Sequence, residues 1–220
     1  MNLETSINAT DWLFILQGAA LTVFLCMVSM AAGSAVGFAA GMMRTSGKIL
    51  LRAIAWGYIY IIRGTPLLMQ LFLVYFGIPL LTGRTIGAFA TALVGLSIYT
   101  GAYMGEIVKA GISSVDAGQH EAAMALGMTW WQAFRHVVFP QAVRVIVPPA
   151  FGLFIALVKD SSLVSIIGFI ELSRAGKLVI ARTFQPFTIY FFVALVYFIL
   201  CHGLSRLSRV RVFTGRTDWQ

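Results

Sequence analysis

The stretch WLFILQGAALTVFLCMVSMAAGSAVGFAAGMM, residues 12–43, holds no acidic and no basic side chain. It is longer than the ~20 apolar residues that carry a helix through the hydrocarbon core of a bilayer. Glu4 and Asp11 are the charges before it, and the basic leader and shorter apolar centre of a cleaved signal are both missing, so the segment is expected to remain as a span. The rest of the chain agrees with that reading. Of its 220 residues, 59% are hydrophobic and 11% charged, with a mean hydropathy of +0.87. A surface of this composition is matched to lipid, and the chain is an integral membrane protein.

Working outward, the charge-poor runs give five spans, at about 13–43, 53–78, 85–105, 141–160 and 183–205. In lipid every backbone polar group has to be satisfied internally, so these are expected to be helices of an all-α fold. The fourth is the least regular, because Pro148 and Pro149 interrupt it and its charge-free part runs only from Val145 to Val158. The stretch SSLVSIIGFI, 161–170, is too short to cross and is expected at the surface or as a re-entrant segment. No internal repeat or low-complexity segment is visible, so one domain over 13–205 with a basic tail at 206–220 is the economical reading.

The net charge of +8 raises the question of nucleic acid, but the basic residues sit at the edges of the apolar runs, where they orient spans in a membrane. With the N-terminus outside, Lys and Arg favour the cytoplasmic side by about two to one. The segment 106–140 then faces the cytoplasm and the C-terminus lies inside.

Within that segment, 116–140 reads as a soluble-looking helical hairpin. Asp116 suits an N-cap, AGQHEAAMAL is rich in helix formers, and Gly127 suits a left-handed corner. Thr129 and Gln132 in TWWQ form a capping-box pattern that opens a second helix, which is expected to stop before Pro140. Small residues in the first arm and Trp130, Trp131 and Phe134 in the second fit either a partner site or a hairpin that rests its tryptophans among lipid headgroups.

The spacing of this hairpin resembles the loop of the membrane subunits of binding-protein-dependent ABC importers. That loop carries Glu-Ala-Ala, three residues, Gly, nine residues, an aliphatic residue, one residue and Leu-Pro. Here Glu121, Ala122, Ala123, Gly127, Val137 and Pro140 stand at matching positions, with Phe139 where Leu is usual. RGTPLLMQLFLVYFGIP (63–79) and LVKDSSLVSIIGFIEL (157–172) resemble segments of the polar amino acid permease branch. The resemblance spans the chain from the first span to the fifth. It implies the membrane domain of a type I importer in a bacterial inner membrane, with the hairpin as a coupling helix that docks on an ABC ATPase dimer. It further implies a second membrane domain, identical or paralogous, and an extracytoplasmic solute-binding protein. ATP is then held by the ATPase, and this chain binds no cofactor and is no enzyme. Many relatives carry Gly-Asn where this chain has Phe151-Gly152, and those handling basic amino acids often carry an acid at the place of Leu153, so a cationic solute is poorly provided for.

Polar residues inside spans are expensive and are the first candidates for a solute pathway. Arg63, Thr65 and Gln70 interrupt the second span, with Asp160 and Glu171 as candidate counter-charges for Arg63. A structural ion pair and contact with a zwitterionic solute or the delivery protein both remain open for Arg63. Pro66 is expected to break the helix and free backbone groups to line a cavity. Asp160, Ser161 and Ser162 offer an acceptor for an ammonium and donors for a carboxylate, or else cap the fourth span. Tyr99 and Tyr103 either line the same cavity or anchor the third span at the interface. Ser29, Gly33, Gly37 and Gly41, with Gly101 and Gly105, have the spacing of a close helix seam.

Other chemistries find little support. GMMRTSGK, 41–48, has the wrong spacing for a phosphate loop and follows no strand. His120, His136 and His202 are scattered, which leaves no metal-ligand pattern, and Cys26 and Cys201 lie in apolar runs as small hydrophobes. A self-sufficient transporter with Arg63, Glu106 and Asp160 as a charge relay is the rival, but it has no use for a capped cytoplasmic hairpin.

Overall fold

The structure, a computed structural model, describes residues 6–213, with side chains described as far as Leu207. Every regular element among them is helical. In chain order they are α1 (Ala9–Thr45), α2 (Ile49–Arg63), α3 (Leu67–Thr82), α4 (Ala88–Ser113), α5 (Ala117–Ala125), α6 (Trp130–Ala133), α7 (Phe139–Asp160), α8 (Leu172–Thr183) and α9 (Pro186–Phe213). A π-helical turn, Phe134–Val138, joins α6 to α7, and a 3₁₀ turn, Ser161–Ile167, follows α7. Of the tail at 206–220, residues 206–213 prolong α9 and the remainder lies outside the described residues.

The bundle is organised on α1 and α4, its most extensively packed pair. The reason is the small-residue stripe. A Cβ on Gly33 would meet Thr100 Cβ at 2.7 Å, one on Gly37 would meet Met104 Cβ at 2.5 Å, and one on Gly41 would meet Val108 Cγ1 at 2.6 Å. The backbones therefore lie closer than any side chain on α1 would allow, and dispersion contacts replace a hydrophobic force that lipid does not supply. The close helix seam expected from the spacing is thus internal packing between α1 and α4. Around it, Leu25 and Cys26 of α1, Leu67 and Leu71 of α3, Leu96 of α4, and Leu157 and Val158 of α7 form the main core. A second core joins Ile15 and Ala19 of α1 to α8 and α9 through Leu172, Val179, Ile189 and Val193.

Among the described residues, four helical segments are long and apolar enough to cross a membrane alone: Ala9–Thr45, Ala88–Ser113, Trp130–Ile167 and Pro186–Leu207. The second expected span, 53–78, is not one straight helix. It is broken into α2 and α3, which meet at 105°. At 15 and 16 residues, each arm is about 22–24 Å long, short of the ~30 Å core, so only the pair together makes a span. The break falls where Pro66 takes an extended conformation as the N-cap of α3.

The fourth expected span also changes. The helix does not stop before Pro140 but runs from Trp130 through to Asp160. In the π-helical turn the Phe139 amide donates to Phe134 O, five residues back, and this register absorbs the place where proline lacks an N–H. The third span is longer than 85–105, since α4 continues to Ser113. The segment 161–170 is not a surface strip: Ser161, Val164, Ser165 and Ile167 are buried, with Val164 and Ile167 in the main core, and Gly168 at φ 93° ends the turn. No helix was foreseen at α8, whose apolar face fills the second core while Lys177 and Arg182 stay exposed.

A side chain at Gly37 should be the most damaging single change in the seam. Gly37→Leu is expected to cost ~1–3 kcal/mol or more by overpacking. The control, Gly57→Ala, adds a Cβ that meets nothing within 4 Å in the middle of α2 and should be neutral or slightly stabilising. Thermal unfolding in detergent, followed by size-exclusion fluorescence, reads both. Equal midpoints for the two variants would contradict the seam.

Candidate functional site

Two groups of residues are organised beyond what packing needs: the hairpin at 116–140 and the polar zone around the α2–α3 break. The hairpin is built by local rules. Asp116 accepts from the Gly118 amide at 2.8 Å, and Thr129 and Gln132 close a capping box, with the Thr129 amide donating to Gln132 Oε1 at 2.8 Å. Gly127 sits between the arms at φ +83°, a conformation that a side chain would strain. The corner is thus fixed by sequence and not by burial.

Its surface is unlike a solvated turn. Leu126 is 81% exposed, Trp130 53% and Trp131 57%. Glu121, Ala122 and Gly127 are exposed, Ala123 is buried beneath them, and Pro140 lies exposed on the continuous helix. A groove of about 360 Å³ is lined by Leu126, Gly127, Met128, Gln132 and His136. Exposed aromatic and aliphatic side chains around a rigid corner are what a protein partner engages. Behind the surface a ladder of rings leads inward. Trp130 stacks on buried Phe134 at 5.5 Å, Phe134 touches Phe139 at 5.8 Å, and Phe139 meets Phe38 of α1 edge-on at 5.8 Å.

At the break, Thr65 and Gln70 act on the backbone. The Gln70 side-chain amide donates to Ile62 O at 2.7 Å and to Thr65 O and Oγ1 at 3.0 Å each, while Thr65 Oγ1 donates to Ile61 O at 2.9 Å. The carbonyls freed by the break, expected to line a cavity, are therefore taken up by Gln70, which is itself buried. This stitching was not legible in the sequence, because it requires the chain to fold back on itself by 105°.

The counter-charges expected for Arg63 lie elsewhere. Among the described residues Arg63 has no ion pair; its guanidinium lies 5.2 Å from the centroid of the Tyr103 ring. Glu171 is fully buried as the N-cap of α8, accepting from the Ser173 and Arg174 amides and from the Tyr197 hydroxyl. Burial pushes its carboxyl above the usual range, against the pull of those donors. Asp160 accepts from Tyr99 at 3.4 Å, and Tyr99 lies 4.7 Å from Tyr103, so Arg63, Tyr103, Tyr99 and Asp160 form one chain of contacts. Ser161 and Ser162 leave this line. Ser161 is fully buried and donates to Val158 O at 2.8 Å, and Ser162 faces a separate groove with Lys159, Ser173 and Tyr197.

Sequence reasoning did not assign a site role to Arg44, which pairs with Glu106 at 3.4 Å. Both line a cavity of about 450 Å³ together with Trp56, Ile59, Tyr60, Arg63, Gly64 and Tyr103. The i, i+3 spacing of Tyr103 and Glu106 was a usable signal, since it places them on one face of α4.

Replacing Gln70 by Leu removes the amide and leaves the Ile62 and Thr65 carbonyls without it. A loss of about 1–3 kcal/mol is expected, read as a lowered unfolding midpoint. Gln70→Glu, which keeps the shape but not the donor, should fall with it. A Gln70→Leu protein as stable as the parent would show the stitching to be dispensable.

The chain matches known proteins over nearly all of this architecture. It is 37% identical over 198 residues to the probable amino-acid ABC transporter permease protein YckA of Bacillus subtilis (strain 168), covering 90% of this chain and 87% of the relative. Over 196 residues it is 35% identical to the glutamine transport system permease protein GlnP of Escherichia coli (strain K12), covering 89% and 90%. The crystal structure of an amino acid ABC transporter with histidines superposes with a TM-score of 0.86 at 34% identity, over 95% of this chain and 99% of that one. A membrane chain of the inward-facing MetNI methionine ABC transporter shares the fold, with a TM-score of 0.80 at 21% identity over 94% and 99%. Residues 33–211 match the family described as binding-protein-dependent transport system inner membrane component. That match takes in the glycine seam, the broken span and the hairpin together, and the chain belongs to this family of inner membrane transport components.

Proposed function

We propose that this chain is the pathway-forming permease subunit of an ATP-driven importer that carries a small polar amino acid across the inner membrane. The observation that carries the reading is the hairpin. It is a rigid, capped corner that presents Leu126, Trp130 and Trp131 outward and continues through the π-helical turn into a membrane-crossing helix. Glu121, Ala122, Ala123 and Gly127 stand at the matching positions of the family loop on that corner, with Pro140 on the helix behind it. A partner that grips the corner grips the span as well.

The partners follow from this geometry and from the relatives. An ABC ATPase dimer holds the ATP and docks on the hairpins of two membrane domains, and an extracytoplasmic binding protein delivers the solute. The N-terminus lies outside and the C-terminus in the cytoplasm, in line with the distribution of Lys and Arg. YckA and GlnP are named for amino-acid and glutamine transport, and Leu153, half-buried on α7, offers no carboxylate to a cationic side chain. An uncharged polar amino acid such as glutamine is the solute class that fits.

The test is isolation of the complex from native membranes in mild detergent, identification of its subunits, and ATP-driven uptake after reconstitution with the binding protein. Equal numbers of ATPase and membrane chains and glutamine uptake that is insensitive to an ionophore are expected. Glu121→Arg and Gly127→Val should reduce both ATPase association and uptake by at least about tenfold, a loss of about 1.4 kcal/mol or more in coupling free energy. Uptake that collapses with the ionophore, or persists without an ATPase, would favour the charge-relay transporter built on Arg63, Glu106 and Asp160.

A further inference from the structure

A groove of about 320 Å³ opens between the end of α7, the 3₁₀ turn, the start of α8 and α9, away from the line of contacts that runs from Arg63 to Asp160. Lys159 and Ser162 line one side of it, three residues apart across the junction of α7 and the turn, so they project the same way. Tyr190, Val193, Ala194 and Tyr197 line the other, at the i, i+3, i+4 and i+7 positions of one face of α9. Ser173 of α8 adds a hydroxyl, but it is held to Tyr197 at 3.1 Å, and Tyr197 donates to buried Glu171 at 2.9 Å. The other polar groups are open. Lys159 is exposed and makes no ion pair among the described residues, and the carboxylate of its neighbour Asp160 turns to Tyr99. No hydrogen bond within the described residues occupies the Lys159 ammonium or the Ser162 and Tyr190 hydroxyls. An unpaired ammonium at the edge of a span is unfavourable and calls for an anion.

Depth and composition narrow the kind of anion. Tyr190 stands four residues into α9 and Tyr197 eleven, so the groove runs from about 6 Å to about 16 Å beyond the first residue of that span. The hydrocarbon of one leaflet is about 15 Å deep, which sets the groove in the leaflet where α9 begins. The long Lys159 stem lets its ammonium rise to the level of the headgroups. Val193 and Ala194 give the groove an apolar strip, and exposed Phe187, Phe191 and Phe198 flank it on α9. No carboxylate lines it, so nothing there complements a ligand that brings a cation with its anion. An amphiphile with a phosphate at one end and hydrocarbon at the other matches these features together.

We propose that this groove is a binding site for an anionic phospholipid, with the Lys159 ammonium and the Ser162 and Tyr190 hydroxyls donating to its phosphodiester and its acyl chains lying along α9. The lipid then joins the end of α7 to α9 through its headgroup. On the orientation proposed above it belongs to the extracytoplasmic leaflet, and its binding does not rest on the importer reading. A second copy of this chain is the poorer occupant, because the described acids of that half are engaged: Asp11 pairs with Arg182, Asp160 accepts from Tyr99, and Glu171 is buried.

The experiment takes the chain with the subunits that accompany it from native membranes, washes it in mild detergent until bulk lipid is gone, and titrates it with phosphatidylglycerol or phosphatidylcholine. Native mass spectrometry counts the lipid retained per permease chain. The wild type is expected to prefer phosphatidylglycerol to phosphatidylcholine by roughly tenfold, the effect of one charge-assisted hydrogen bond. Lys159→Gln should lose that preference and Lys159→Arg keep it. Lys177→Gln, which removes an exposed cation outside the groove, should leave it unchanged. Tyr190→Phe and Ser162→Ala should each weaken phosphatidylglycerol retention by roughly threefold, and they carry the test if Lys159→Gln fails to assemble. A wild type without the preference, or a Lys159→Gln or paired Tyr190→Phe and Ser162→Ala proteins that retain the lipid as the wild type does, overturns the proposal. An equal loss in Lys177→Gln shows general attraction to a basic surface and overturns it too. Displacement of the lipid by an excess of inorganic phosphate assigns the groove to a soluble anion, and a Tyr190→Cys protein that crosslinks two permease chains assigns it to a subunit interface. Either result overturns the lipid site.

Discussion

The contact that the rest of the bundle depends on is backbone against backbone between α1 and α4. With Gly33, Gly37 and Gly41 facing Thr100, Met104 and Val108, the most extensively packed helices among the described residues meet with no side chain at these α1 positions to separate them. In a bilayer this is the economical way to hold two helices, because apolar side chains gain little by leaving lipid for protein. The opposite faces of the pair then become platforms. Ala40 of α1 receives Ala55 and Ile59 of α2, Gly18 of α1 admits Ala175 of α8, and Gly111 of α4 admits Ile146 of α7. The helices α2, α3, α7 and α8 pack directly on that pair, and α9 rests mainly on α7 and α8.

The polar elements obey the same constraint in a different form. A broken span exposes carbonyls that lipid cannot satisfy, and the nearest side chain that can reach them, Gln70, satisfies two together with the Thr65 hydroxyl. Glu171 does similar work for the first turn of α8, while the amide of Leu172 donates to Thr22 of α1 at 3.1 Å. What remains without a partner among the described residues is spread through the bundle: Ser29 Oγ, Ser97 Oγ and Thr100 Oγ1 along α1 and α4, Gln70 Oε1 at the break, and the Nε atoms of Arg44 and Arg174.

How much of this could be read from sequence depended on the range of the interaction. The uncharged run 12–43 and the corner at Gly127 were legible because length, capping and backbone conformation are local properties. The fold class and the glycine seam were legible for the same reason, through spacing along one helix. The break at Pro66 was visible as a proline, but not as a turn of 105°, because that angle is set by where α3 packs on α4. The amphipathic α8 escaped notice because its polar face keeps it from standing out as an apolar run, and its apolar face makes sense only against α1 and α9. Asp160 and Ser161 are neighbours in sequence and part company in space, one toward Tyr99 and the other back onto Val158. The counter-charges proposed for Arg63 failed for that reason: proximity between spans is a tertiary property, and charge sign alone does not reveal it.

The π-helical turn has a mechanical meaning. Because the helix is not interrupted at Pro140, the arm that carries Trp130 and Trp131 and the segment that ends at Asp160 form one continuous length of about 46 Å, in which Phe139 meets Phe38 about a third of the way from Trp130. A tilt of about 5° applied at the short end displaces the far end by a few ångströms, comparable to the width of a water molecule. The extra residue in the turn thus sets the proportions of a lever, since it fixes which side of the helix meets Phe38 and leaves the segment beyond Phe139 about twice as long as the one before it.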